Sequence, residues 1–396
     1  MFCLEKIQQE IQLARLDGWL LYDFRNSNPL ARRVVGLSDA LFLSRRWFYF
    51  IPAQGEPMKI VHRIEPHSLA GLPGRELVYL TWQELEQSVA AALASAKAIA
   101  MEYSPGNAIP YLSRVDAGTL EMVRKTGVAV VSSGDLSQVF ESCLSQEQWS
   151  LHLEAARHTA TAYDVVFAAI ASAIRGKREM RESMVIQMIL DHFKKNGLVT
   201  DHPPICGVGP HSGDPHYSTS PATDSPIREG DFILVDLWGK MAHPQGIYSD
   251  LTWTGFAGKK APNHLNTVFQ IVAKARDSAI QKVRDAFASG IPLEGWEVDK
   301  AARRVITDCG YGPAFCHRTG HSIGKETHGN GANMDGLETQ DTRKVLPSSL
   351  FSVEPGIYLP EFGVRSEVNV FVHPDSKVEV TGPAPQANIV PILAKY

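Results

Sequence analysis

Apolar and polar positions alternate with two different periods along this chain of 396 residues. Residues 7–16 carry apolar side chains at helical spacing, and the pattern predicts an amphipathic helix closed by Gly18. Trp19-Leu20-Leu21-Tyr22 reads as a buried strand, residues 47–51 as a second ended by Pro52, and residues 58–61 as a third after turn-forming Gly55-Glu56-Pro57. An Ala-rich helix is predicted over 85–96, a strand over 98–101, a helix over 113–125 and a strand over 128–131. Strands alternating with helices predict an α/β domain. This part has no phosphate-binding glycine loop and no catalytic cluster. Arg32-Arg33 and Arg45-Arg46 read as solvated charges, with closure over a second domain's site as the alternative.

The pattern changes near residues 140–148, which divides the chain into domains at 1–143 and 144–396. The second domain opens on long helices over 149–174 and 178–195, the latter closed by Asn196-Gly197. Residues 203–226 are dense in Pro, Gly, His, Ser and Asp, and predict a long loop or a pair of short strands with an irregular connection. Strands follow from Phe232 and over 247–254, then helices over 266–288 and 297–308, then short strands to the end.

A chain of this length is expected to build more than one core. Its 44% hydrophobic content is that of a globular protein, and its net charge of −4 argues against a general nucleic-acid binder. No apolar run is long enough to cross a bilayer, so no membrane partner is expected. The first ten residues include Glu5 and hold no apolar stretch, so no signal peptide is expected. Five scattered cysteines, with no CxxC pair, predict reduced thiols, packed or idle, and a cytoplasmic location.

The chemistry-bearing residues lie in strand-like surroundings. Asp236 ends the apolar run Phe232-Ile233-Leu234-Val235, and Asp250 stands between Ile247-Tyr248-Ser249 and Leu251-Thr252-Trp253. His321 sits in Thr319-Gly320-His321-Ser322, Glu354 in Val353-Glu354-Pro355-Gly356, and Glu367 in Gly363-Val364-Arg365-Ser366-Glu367. Carboxylates in such positions are costly to bury without positive compensation. A pair of divalent cations supplies it for two Asp, two Glu and one His. Pro244-Gln245-Gly246 provides the turn of a hairpin that brings Asp236 and Asp250 to one face.

The order Asp, Asp, His, Glu, Glu, with Val-Glu-Pro-Gly and Gly-Val-Arg-x-Glu intact, resembles the pita-bread metallopeptidases. These include methionine aminopeptidase, prolidase, aminopeptidase P and creatinase. The resemblance covers roughly the last 250 residues, with a weaker match of the first part to the amino-terminal domain of the prolidase, aminopeptidase P and creatinase branch. It implies an α/β N-terminal domain followed by an α+β pita-bread catalytic domain of the creatinase/methionine aminopeptidase type. By resemblance, Asp236 holds one metal, Asp250 and Glu367 bridge two, and His321 and Glu354 complete the second. The two divalent ions, Mn, Co or Zn, would share a bridging hydroxide that attacks the scissile carbonyl. Glu354 would carry the proton to the leaving nitrogen.

His216 matches an upstream histidine of the family, and His328 follows His321 by seven residues; both would hydrogen-bond the substrate carbonyl or oxyanion. Many relatives carry Glu after this second histidine, where this chain has Gly329. Arg365 either pairs with the carboxylate of a dipeptide or neutralises the crowded acids beside it. His211 is the next candidate for substrate contact, ahead of His202, His243 and His317.

The implied activity is hydrolysis of the bond preceding proline in Xaa-Pro dipeptides, by a homodimer. The alternative is Xaa-Pro aminopeptidase action on longer peptides. A creatinase-like hydrolase needs no such ligand set, and a non-catalytic peptide-binding relative would not keep it. Methionine aminopeptidase is disfavoured by the substantial domain ahead of the catalytic one.

Overall fold

A computed structural model describes residues 2–38 and 40–396. The chain divides into two compact units, Met1–Glu141 and Ser142–Tyr396.

The first unit is an α/β layer around a six-stranded sheet. In chain order it contains α1 (Leu4–Leu13), β1 (Gly18–Asp23), α2 (Pro29–Val34), β2 (Trp47–Pro52), β3 (Met58–His62), β4 (Arg75–Tyr79), α3 (Trp82–Leu93), β5 (Ala98–Met101), α4 (Ala117–Arg124), β6 (Ala129–Ser132) and α5 (Gly134–Glu141). The sheet order is β4-β3-β2-β1-β5-β6, with β2 antiparallel to both neighbours and the other pairings parallel. Trp19, Leu21, Trp47 and Tyr49 fill one face, and Leu20, Tyr22, Phe48 and Phe50 the other, as the two-residue period of a strand requires.

The sequence pattern misses β4 and α5 and starts α4 four residues early, and further features differ. The first helix ends at Leu13, and Gly18 opens the strand instead of closing the helix. A Cβ at Gly18 would lie 2.3 Å from the Phe50 ring, so glycine permits a close strand approach there. The short helix α2 is present, started by the Asn28 side chain accepting from the Ala31 amide and by Pro29. It carries Arg32, which is not a solvated charge: it is buried, 3.5 Å from Asp23, and donates to the Ser38 and Leu41 carbonyls.

The second unit begins with α6 (Gln146–Arg175) and α7 (Glu182–Lys195), then β7 (Leu198–Val199), β8 (Ile205–Val208), β9 (Phe232–Met241) and β10 (Ser249–Phe256). Helices α8 (Asn263–Ser289) and α9 (Gly295–Asp308) follow. The chain closes with β11 (Leu350–Val353), β12 (Gly356–Tyr358), β13 (Gly363–Arg365), β14 (Val368–Val372), β15 (Val378–Thr381), β16 (Val390–Pro391) and α10 (Ile392–Lys395). The main sheet runs β16-β10-β9-β7, with β8 also on β9; β11-β14-β15 and β12-β13 form two smaller sheets. One core packs α6 and α7 on the main sheet, and another packs α8 and α9 beneath β11 to β14. The stretch 203–226 supplies one strand, β8, a short 3-10 turn over Gly209–Gly213, and irregular chain after it. This mixed α/β and α+β organisation is the pita-bread architecture. No helix among the described residues is long and apolar enough to cross a membrane.

Candidate metal centre

The β9–β10 hairpin sets the first two acids. Asp236 lies opposite Thr252 and Asp250 opposite Trp238. The two aspartates are therefore diagonal neighbours, offset by two residues, and share one face of the ladder. Asn369 of β14 fixes Asp250 from the next layer: its amide oxygen accepts from the Asp250 N–H at 3.0 Å, and its Nδ2 donates to the Asp250 carbonyl.

Glu367 sits in the break between β13 and β14. Its amide donates to the Thr252 carbonyl, and its Oε2 accepts from Thr252 Oγ1 at 2.8 Å. Glu354 follows β11 directly, with its amide on the Thr319 carbonyl and its Oε1 3.1 Å from Ser352 Oγ. The same Ser352 hydroxyl accepts from the His321 amide. His321 Nε2 then lies 3.3 Å from Glu354 Oε1 and 3.6 Å from Asp250 Oδ2. One ligand atom from each of Asp250, His321 and Glu367 falls within 4.8 Å of the others, and all three residues are buried.

The cluster is rich in negative charge. Burial pushes the carboxyls of Asp250 and Glu367 well above the usual range, and the neighbouring acids push the same way. Burial also raises Glu354 to about 7, with Arg365 opposing it. His321 is depressed by burial, with His328 adding to the effect. Asp236 Oδ1 is buried and has no hydrogen-bond partner. Four crowded carboxylates, one imidazole and an orphaned oxygen fit divalent cations bound mainly through oxygen.

Arg365 is buried at the edge of this cluster. Its Nη2 donates to Asp236 Oδ2 at 2.5 Å, its Nε to Thr252 Oγ1 at 3.0 Å, and its Nη1 to Tyr358 OH at 2.9 Å and Pro215 O at 3.3 Å. Its donors are spent largely inside the chain, which is the charge-neutralising arrangement. Tyr358 OH is also 2.7 Å from His317 Nε2, and burial lowers His317 to about 3.

The histidines divide into two groups. His328 packs edge-on against His321, with ring centres 4.3 Å apart, and desolvation lowers it to about 4. His216 is exposed on the loop after β8, and its charge acts on both His328 and His317. His211 turns elsewhere. Its Nδ1 meets Glu182 Oε1 at 2.8 Å, and its ring stacks on Tyr217. Glu182 is buried and also accepts from the Val208 and Ser225 amides and Tyr217 OH, so this knot organises the loop. His202 pairs with Asp201, and His243 lies in the hairpin turn. A Cβ at Gly329 would lie 2.9 Å from Ser322 Oγ, so this loop is packed for glycine.

Sequence reasoning passed over Thr252, Asn369, Ser352, Tyr358 and Arg318. Thr252 carries the one available signal, since it lies two residues beyond Asp250 on the same strand face. Arg318 is half-buried, and its positive charge acts on Glu354, His321 and His328.

Residues 151–374 match the profile of metallopeptidase family M24. The chain is 34% identical over 189 residues to a probable dipeptidase PepE of Mycobacterium bovis, covering 48% of this chain and 46% of that one. It is 31% identical over 215 residues to a putative Xaa-Pro aminopeptidase of Mycoplasma pneumoniae, covering 52% and 55%. Each match thus spans about half of the relative's length. The fold is similar to the crystal structure of dipeptidase PepE from Mycobacterium ulcerans, with a TM-score of 0.68 at 24% identity over 98% of this chain and 96% of that one.

Proposed function

This chain belongs to metallopeptidase family M24, and we propose that it hydrolyses the bond preceding proline, principally in Xaa-Pro dipeptides. The observation that carries the reading is the buried convergence of Asp250, His321 and Glu367, with Glu354 and Asp236 beside them. Asp236, Asp250, His321, Glu354 and Glu367 would hold two divalent ions, Mn, Co or Zn. The ion pair supplies Lewis acidity, making a water nucleophilic near neutral pH and polarising the scissile carbonyl.

The chain's own groups do the rest. Glu354, raised to about 7, can hold a proton taken from water and deliver it to the leaving proline nitrogen. His328 and His216 are donors for the substrate carbonyl. Arg365 holds Asp236 in place, and the Arg318 charge suits the free carboxylate of a dipeptide. His211 acts through the Glu182 knot, fixing the loop that carries His216. In this reading residues 144–396 form the catalytic domain and 1–143 a creatinase/prolidase-like domain. The enzyme works as a cytoplasmic homodimer.

The internal use of Arg365 favours the second reading, aminopeptidase action on longer peptides, because that guanidinium is not reserved for a substrate carboxylate. Hydrolysis of Xaa-Pro against Xaa-Pro-Yaa, before and after chelation and metal restoration, tests both. Faster cleavage of the tripeptide selects the aminopeptidase, and undiminished activity without metal overturns the mechanism.

A further inference from the structure

Asp201 lies on the short connection between β7 and β8, outside the ligand set, yet it is fastened to that set from two sides. Its Oδ1 accepts from the Trp238 indole Nε1 at 2.8 Å and faces Thr327 Oγ1 at 3.4 Å. Trp238 is the ladder partner of Asp250, and Thr327 precedes His328. The carboxylate is thereby held at one indole's reach from the strand position of Asp250 and beside the His328 loop. Its Oδ2 lies 3.4 Å from His202 Nδ1, the Tyr248 phenol also hydrogen-bonds the carboxylate, and the side chain is 44% exposed.

His202 and Lys240 both act on its charge. Lys240, the nearest lysine of the sheet, donates its ammonium to the Lys325 carbonyl and lies over the Tyr248 ring, and it makes no ion pair with Asp201 among the described residues. The Tyr248 phenol, Lys325, Glu326, His202 and His328 complete the surroundings. The negative charge of Asp201 is felt at Asp250 and at His328. It is therefore an anchored, partly exposed carboxylate beside the candidate metal centre.

We propose that Asp201 is a specificity-determining residue that selects substrates whose first residue carries a cationic side chain, lysine or arginine. The spacing assigns it to the side chain and not to the α-amine. Asp201 is not one of the candidate ligands and is joined to the Asp250 strand position through the Trp238 indole, a reach that suits a charge at the end of a long side chain. The inference rests on the peptidase reading above and deepens it.

The test compares Lys-Pro with norleucyl-Pro, which has the same stem without the charge, in the metal-loaded enzyme and its Asp201→Asn variant. Asn keeps an acceptor for Trp238 and Thr327 while removing the charge. The wild type is expected to favour Lys-Pro in kcat/KM, and Asp201→Asn to reduce that preference about tenfold, with norleucyl-Pro changed less than twofold. An unchanged preference, or an equal loss on both peptides, overturns the proposal. Calorimetric affinities for the two peptides are measured alongside. A binding preference lost in Asp201→Asn, with no peptide hydrolysed by either protein, sinks the hydrolytic reading and leaves Asp201 as a selector. Hydrolysis with no preference does the reverse.

Discussion

Arg365 Nη2 donates to Asp236 Oδ2 at 2.5 Å, while Asp236 Oδ1, on the same carboxylate, is buried with no partner. One oxygen is neutralised by the chain and the other is left for an ion. Removing the guanidinium leaves a buried acid uncompensated, at a cost of about 3–5 kcal/mol in the metal-free protein. Arg365→Ala should melt well below wild type when chelated. It should lose kcat on dipeptides and tripeptides alike, because the defect lies in the site and not in substrate recognition. A selective rise in KM for dipeptides would return Arg365 to the substrate.

The partial neutralisation of Asp236 also ranks the acids. Asp250 and Glu367 face each other and the remaining carboxylates without such a cation on their oxygens, so they depend most on metal. Chelation should abolish activity, and Mn, Co or Zn should restore it. Elemental analysis should find less metal in Asp250→Ala and Glu367→Ala than in Asp236→Ala. Equal content in all three variants would contradict the ranking.

The strands that carry these acids were legible because an apolar run broken by one Asp is hard to read otherwise. Residues 98–101 coincide with β5 although Ile99 is its one β-prone residue. Helix α2 was not legible: six residues give too little periodicity, although Asn28-Pro29 is a start signal. The burial of Arg32 follows from Asp23 and two loop carbonyls, none of which a local pattern connects to it. The same holds at the site. Asn369 reaches Asp250 across 119 residues, and Arg365 reaches Asp236 across 129, so their roles belong to tertiary contacts. The open alternatives for Arg365 in the sequence needed the Tyr358 and Thr252 hydroxyls to separate them.

Glu354 gives a pH signature in the metal-free protein. Its folded pKa, about 7, lies above the ordinary glutamate value, so the folded state binds its proton more tightly than the unfolded chain does. The associated stability is present below the unfolded pKa and is lost as pH rises through about 7; Asp250 and Glu367 are displaced in the same direction. The lowered His317, His321 and His328 pull the other way over this interval, so the Glu354 part is read against Glu354→Gln: chelated wild type should lose Tm relative to that variant as pH rises from 5 to 7.5. Metal should flatten that slope, because it stabilises the ionised acids. A Tm difference between the two proteins that stays constant over this interval would show that Glu354 is not raised in the metal-free fold.

Substrate length should be set by Arg318. A dipeptide brings its carboxylate within one residue of the scissile bond, and a buried or half-buried anion needs a cation there. Arg318 is half-buried, and its charge acts on Glu354, His321 and His328, the side of the cluster that holds the proposed proton carrier. Arg318→Ala should raise KM for Xaa-Pro about tenfold or more, the equivalent of about 1.4 kcal/mol, and leave Xaa-Pro-Yaa nearly unchanged, since a tripeptide carries its carboxylate one residue further out. Arg365→Ala should show no such split. If Arg318→Ala affects both lengths equally, the carboxylate is not read at that position; if wild type already prefers Xaa-Pro-Yaa, the enzyme is an aminopeptidase built on the same metal centre.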